Sequence, residues 1–386
     1  MRSETALIHQ FRDPSQQHGA VNPPIVHAST ILFPTLEALD QEHTVRSSYG
    51  LHGTATHFGL IDSLSAMEEA FGSHLVPSGL AAITLPLMAF LRAGDHLLMP
   101  DNCYGPTRRF ADNVLQNIGI TTNYYAPAAT SEEIAALTNA QTAVILLESP
   151  GSDTFEMQDI AAIAKMAQGK SIKTIMDNTW AAGYFFKPLE HGIDISIQAL
   201  TKYVAGHSDC LLGLIAAKTE SDWKQIDRTH QAFGTGHCSA EIAYLAARGL
   251  RSMPARLALH QENGLKMAHW LESHSEVLKV HFPALESHAG HSLWKRDYTG
   301  TTSLFAFELP KRDRKKLADF LDNLQFYGMG YSWGGYESLL VPKSPQTTRP
   351  YSGWPNDHQL LRIHVGLEHI DDLIEDLDAG IQRYLS

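Results

Sequence analysis

Apolar residues in this chain cluster into short runs punctuated by turn formers, and the runs alternate between strand length and helix length. Residues 1 to about 53 carry little regular periodicity. NPPIVHAST holds two consecutive prolines, which predicts an extended segment. An arm of this kind, with nothing local to pack on, is expected to pack on another subunit. It ends in the loop SSYGLHGTATHF, with Tyr49 predicted to be exposed. From about Leu60 the pattern predicts a helix capped by Ser63, with Leu64, Met67 and Phe71 on one face and Gly72 as its stop.

HLVPSGLAAITLPLMAFL reads as a short strand, a Ser-Gly turn and a long apolar helix. Strands follow in GDHLLMPDNCYGPT and ITTNYYAPA, separated by a helix over roughly residues 106–118. TSEEIAALT opens a helix capped by Thr130 or Ser131, and AVILLESPGS supplies the next strand. Residues 174–176 and 193–200 are buried-strand runs bounded by Gly169, Gly183, Pro188 and Gly192. With LLGLIAAK they continue an alternation that predicts an α/β fold, a largely parallel sheet with crossover helices. After about Cys238 the texture changes. The stretch from SAEIAYL to AHWLES predicts two helices joined near residues 252–254, and mixed strands and helices then suggest a smaller α+β domain.

Two polar residues interrupt the apolar logic. The run ending at Met176 is followed by Asp177, and the run ending at Leu200 leads to Lys202. At neighbouring strand ends they would put a fixed negative charge and an amine in one crevice, where open α/β sheets bind ligands. Pyridoxal phosphate requires that pair, a lysine for a Schiff base and a carboxylate opposite its ring nitrogen. Three weaker signals are each open to a plain structural reading as well. The Ser78-Gly79 turn opening a helix is a possible phosphate seat or an ordinary β–α turn. Tyr104, past a strand end, is placed to stack on a flat ring or to be simply half-buried. Arg362, inside the apolar run LLRIHVGL, either meets a carboxylate or faces water from a strand edge.

Composition narrows the field. The 386 residues are 44% hydrophobic and 19% charged, an ordinary globular profile with room for two domains. A net charge of −12 without a dense Lys/Arg run argues against a nucleic-acid partner. The N-terminus lacks the apolar core of a signal peptide, and the stretch 80–91 is too short to span a bilayer, so a cytoplasmic protein is expected. Cys103, Cys210 and Cys238 form no CxxC pair, and no HExxH occurs among the 21 histidines. His281, His288 and His291 lie among Pro, Gly and Ser in an expected loop, and no metal is expected.

The motifs HGTATHF, LLESPGS, MDNTWAAG, QALTKYVAGHSD, HSLWKRDYTG, YSWGGYESL and RIHVGLE occur in this order from about Pro23 to the C-terminus. In them the chain resembles the Cys/Met-metabolism family of pyridoxal phosphate enzymes, and within it the bacterial cystathionine β-lyases. The loop Tyr331-Ser332-Trp333-Gly334-Gly335, in place of a shorter Ser-Leu-Gly-Gly type, favours that branch. The resemblance implies the aspartate aminotransferase type of fold (fold type I): an arm over 1–53, a cofactor domain over 54–248 and a C-terminal domain over 249–386. It implies that Lys202 carries pyridoxal 5'-phosphate, that Asp177 keeps the ring nitrogen protonated, and that Tyr104 stacks on the ring. Gly79 and Leu80 N–H groups and the Thr201 hydroxyl would hold the phosphate. Arg362, with Ser332, would bind the substrate α-carboxylate, and Trp333 and Tyr331 would line the pocket. Tyr49 would reach into the neighbouring subunit's site, which makes a catalytic dimer, commonly paired into a tetramer, with Lys202, Tyr104 and Tyr49 as the catalytic group.

The implied reaction is β-elimination from an amino-acid thioether such as L-cystathionine, as in methionine synthesis. γ-Elimination, broad cysteine-conjugate lysis, alanine racemisation and a non-catalytic binding role stay open beside it. Two positions depart from the family pattern. An Arg that would contact the phosphate across the dimer is Leu51 here, followed by His52, and a phosphate-binding Ser is Ala199. Loss of one charge-assisted partner is expected to weaken cofactor retention by roughly 1.5–3 kcal/mol, unless His52 compensates.

Overall fold

A computed structural model describes residues 2–10, 12–235, 238–345, 349 and 354–386. The strand runs form a seven-stranded sheet: β1 Gly72–Val76, β2 His96–Pro100, β3 Thr121–Tyr125, β4 Thr142–Glu148, β5 Lys173–Asp177, β6 Ile195–Ala199 and β7 Gly213–Ala217. Their spatial order is β1-β7-β6-β5-β4-β2-β3. All run parallel except β7, which pairs antiparallel with both β1 and β6. The apolar runs are long because both faces of the sheet are covered. One face carries Leu98, Ile145, Leu147, Met176 and Leu214, and the other Leu97, Leu146, Ile175, Ile197 and Ile215.

A second sheet is built from β8 Lys279–His281, β9 Leu304–Pro310, β10 Tyr327–Gly328, β11 Ser338–Lys343 and β12 His358–His364, in the order β10-β11-β12-β9-β8. The helix Ile370–Leu385 packs beside the helix Arg314–Asp322 next to this sheet, burying Leu373, Leu377, Ile381 and Tyr384. No helix among the described residues is long and apolar enough to cross a membrane.

Three sequence expectations need correction. The helix placed after Ser63 spans Ala55–Glu68, so Ser63 lies inside it and donates back to Gly59 O at 2.7 Å. Thr54 caps it, its N–H donating to His57 Nδ1 at 3.0 Å. Glu69, in the left-handed region, ends it, while Gly72 opens β1 and Phe71 is exposed. Ser63 misled because a hydroxyl inside a helix satisfies itself on the preceding turn. The two helices joined near residues 252–254 are one, Ala240–Ser273, with Pro254 inside. Beside the proline, Ser252 Oγ (3.2 Å) and Arg256 Nη2 (2.7 Å) both donate to Gly249 O, so side chains on both sides of Pro254 tie back to the preceding turn. Finally, His281 is a strand residue hydrogen-bonded to Glu308, not a loop residue.

The arm has no regular structure around Pro23 and Pro24, but it carries short helices at Ser3–His9, which buries Leu7 against the body of the chain, and at Leu36–Asp40. Beyond the first of these, Val21, Leu32, Leu36 and Val45 are exposed.

Candidate active site

The site lies at the carboxyl ends of the parallel strands. Asp177 closes β5 and Lys202 stands in the turn after β6, its neighbour in the sheet. Together with the chain's other loops they line a cavity of about 610 Å³, room for a cofactor and an amino acid. Gly79, Leu80, Tyr104, Thr201, Tyr331, Trp333 and Arg362 line the same cavity, and Ser332 reaches it by accepting a hydrogen bond from Lys202 Nζ at 2.8 Å.

Each side chain has a local reason for its place. The helix Gly79–Phe90 starts at Ser78, whose Oγ accepts from Ala81 N at 3.1 Å. That cap leaves the Gly79 and Leu80 N–H groups at the positive end of the helix, facing the cavity. A Cβ on Gly79 would stand 2.4 Å from the Ala199 Cβ, so only glycine lets this turn approach β6 so closely. The small Ala199 makes the approach possible from the other side. Gly334 does similar work opposite: it has φ +83°, and a Cβ would meet Tyr203 N at 2.8 Å. It thereby folds the Tyr331–Gly335 loop over Lys202 and holds Trp333 with its ring 5.1 Å from Nζ.

Charge is arranged with the same economy. Burial, then the nearby Arg362 charge, push the Lys202 amine down to about 8, with Asp177 opposing. A lysine in that state is a nucleophile near neutral pH. Asp177 is half-buried and accepts from Thr179 N at 2.9 Å and Thr179 Oγ1 at 2.6 Å. Next to it in register is Glu148, buried, which accepts from Tyr104 N at 2.7 Å and from Ser152 Oγ. Burial, then repulsion from Asp177, push Glu148 up; desolvation raises Asp177 too, but Thr179 and the Lys202 charge oppose it there. Of the two carboxyls Glu148 therefore takes the proton and Asp177 the charge. Arg362, with its side chain only 11% exposed, donates to Tyr331 O at 3.1 Å and lies 3.6 Å from Asp153. Burial lowers its pKa, with Asp153 opposing.

Two further placements concern residues expected at the site. Tyr49 is 50% exposed and does not line the cavity of its own chain. Thr201 Oγ1 lies 3.3 Å from Leu212 O and 3.1 Å from Leu212 N, so its hydroxyl is engaged with the backbone here. Sequence reading passed over Glu148, Asp153, Arg109 and Lys343, all on the cavity wall. Glu148 was legible as a carboxylate ending an apolar strand, the same signal that Asp177 gave.

A lysine whose pKa is depressed, a half-buried carboxylate beside it, an aromatic at the mouth and a helix N-terminus for a phosphate define the class: an enzyme of the pyridoxal phosphate type. The match to the cofactor is physical, since the Gly79 cradle, the depressed Lys202 and the hydrogen-bonded Asp177 are all in place without it. The chain belongs to the Cys/Met metabolism PLP-dependent enzymes, whose family model matches residues 4–382. It is 40% identical to cystathionine beta-lyase MetC of Escherichia coli K12, over 98% of each chain. It is 37% identical to an L-alanine/L-glutamate racemase of Wolbachia pipientis wMel, over 99% of this chain and 98% of that one. Among solved structures, cystathionine gamma synthase from Xanthomonas oryzae pv. oryzae, in complex with aminoacrylate and cysteine, superposes with a TM-score of 0.91 at 30% identity, covering 100% of this chain and 99% of that one.

Proposed function

We propose that this protein is a carbon–sulfur β-lyase that cleaves L-cystathionine to homocysteine, pyruvate and ammonia. The observation that carries the proposal is the Tyr331–Gly335 loop, closed over Lys202 with Ser332 accepting from Nζ and the Trp333 ring beside it. The cystathionine beta-lyase likeness supports the same reading.

Pyridoxal phosphate, when bound, supplies the electron sink for a carbanion at the substrate Cα. Gly79 and Leu80 would hold its phosphate, with Thr201 once its hydroxyl turns from Leu212; Asp177 would sit at the ring nitrogen and Tyr104 on the ring face. Arg362 binds the substrate α-carboxylate in place of its distant contact with Asp153, which fixes the Cα–H bond toward Lys202. Lys202 Nζ removes that proton and returns it to the departing sulfur. The Cα–H and Cβ–S bonds break, homocysteine leaves as the thiol, and the three-carbon fragment hydrolyses to pyruvate and ammonia. Ser332 orients Nζ between the two positions. Trp333 walls the site from water, and Tyr331 stands exposed at its mouth.

In the same reading the working unit is a homodimer, paired into a tetramer, in which Tyr49 enters the neighbour's cavity. The exposed apolar residues of the arm support this, since Val21, Leu32 and Leu36 need cover that their own chain does not give. The expected site of action is the cytoplasm. Changing Lys202→Ala should abolish pyruvate release from cystathionine while the protein still folds; turnover by that variant would overturn the assignment. A longer 2-oxo acid in place of pyruvate would instead support γ-elimination, which the synthase-like fold also accommodates.

A further inference from the structure

β1, the edge strand that leads into the Ser78-Gly79 turn, carries His74. The helix Glu220–Phe233 packs on this edge and presents Asp227 and His230, one helical turn apart. His74 Nδ1 stands 3.8 Å from Asp227 Oδ1, and the His74 and His230 rings are 4.9 Å apart. One donor atom from each of the three residues falls within 4.8 Å of the others. None of them lines the active-site cavity.

Two further observations go beyond proximity. His74 is buried and stacked on Trp223 at 5.0 Å and 17°; the Trp223 backbone bonds the ring, yet Nε2 has no hydrogen-bond partner among the described residues. A buried ring nitrogen left unpaired is destabilising, and a ligand on this cluster would offset that. His230 Nε2 lies 3.0 Å from Leu75 O. A carbonyl only accepts, so Nε2 carries the proton and the lone pair sits on Nδ1. An imidazole oriented by a backbone carbonyl is the usual state of a metal-ligating histidine.

We propose that His74, Asp227 and His230 bind one divalent transition-metal ion of the zinc class. Two imidazoles and a carboxylate suit Zn²⁺, with water or a further histidine completing four-coordination. The donors stand wider than the Zn–N distance of about 2.0–2.1 Å allows, so side-chain rotation closes them on the ion. An ion here would tie β1 to the helix Glu220–Phe233.

The test uses the cofactor-loaded protein, stripped with a chelator and titrated with Co²⁺, then Zn²⁺. The structure predicts one Co²⁺ per chain with visible d–d bands, displaced by Zn²⁺, and a Zn²⁺-dependent rise in Tm. The double variant Asp227→Asn/His230→Gln should retain pyridoxal phosphate, which shows that it is folded, yet bind Co²⁺ at least tenfold more weakly. The absence of stoichiometric Co²⁺ binding by the wild type would overturn the proposal, whatever the variant does. So would a double variant that titrates like the wild type, since surface histidines would then be the source.

Discussion

Glu148 and Asp177 are register partners across β4 and β5, and charge on one disfavours charge on the other. The residues around them decide which one carries it. Each accepts two hydrogen bonds, but Asp177 has the Lys202 amine nearby, whereas Glu148 has repulsion from Asp177 and Asp153 and a role in holding the Tyr104 backbone. A neutral amide should therefore serve at position 148. Glu148→Gln should keep activity within about fivefold, and Glu148→Ala should lose more than tenfold by freeing Tyr104. Steady-state rates on cystathionine check this; equal losses in both variants would show that the charge on Glu148 is required. At this scale the sequence was informative wherever a polar residue broke an apolar run. Asp177, Lys202 and Arg362 all did so, and all line the cavity. Asp153 did not, because it sits among other polar residues; Lys343, which follows the apolar run 339–342, gave the same signal and was passed over, and the fold brings both near Arg362.

Between elements, the joint of the helix Ala55–Glu68 with β6 carries a second buried acid. Glu68 is fully buried and accepts a hydrogen bond from Gln198 Nε2. Burial pushes its carboxyl up to about 7, against hydrogen bonds from Ser196 and Gln198 and the Lys187 charge. Between pH 4.5 and 7 the folded protein thus holds a proton that the unfolded chain releases, and stability falls as pH rises through that window. The loss amounts to about 3 kcal/mol, at 1.36 kcal/mol per pKa unit. Glu68→Gln removes it, so the variant should gain stability over the wild type progressively from pH 5 to pH 8 in denaturant titrations. Parallel profiles for the two proteins would contradict the account. Strands and their alternation with helices were legible because burial on both faces makes apolar runs unmistakable. Helix ends were less so: the Ser63 cap and the break at Pro254 failed because side chains there tie back to the preceding turn, a detail that periodicity does not carry.

Across the whole molecule, the arm's exposed Val21, Leu32 and Leu36 and the exposed Tyr49 would find their cover in the proposed dimer, whose site needs both chains. Hybrids test this directly. Tyr49→Phe and Lys202→Ala chains, each impaired, should regain about a quarter of wild-type activity when unfolded and refolded together one to one. Half the dimers are then mixed, and each has one complete site. No recovery would show that Tyr49 serves its own chain or none. The motif order along the chain made the family legible, but the His74, Asp227 and His230 cluster was invisible, since strand and helix meet there only after folding.

The most direct measurement is product analysis: the purified protein with pyridoxal phosphate added, its visible absorbance recorded, and then the thiol and 2-oxo acid released from L-cystathionine identified. The account predicts a lysine-bound cofactor band and equal amounts of homocysteine and pyruvate. A normal band with no pyruvate would leave fold and cofactor intact and contradict the β-lyase.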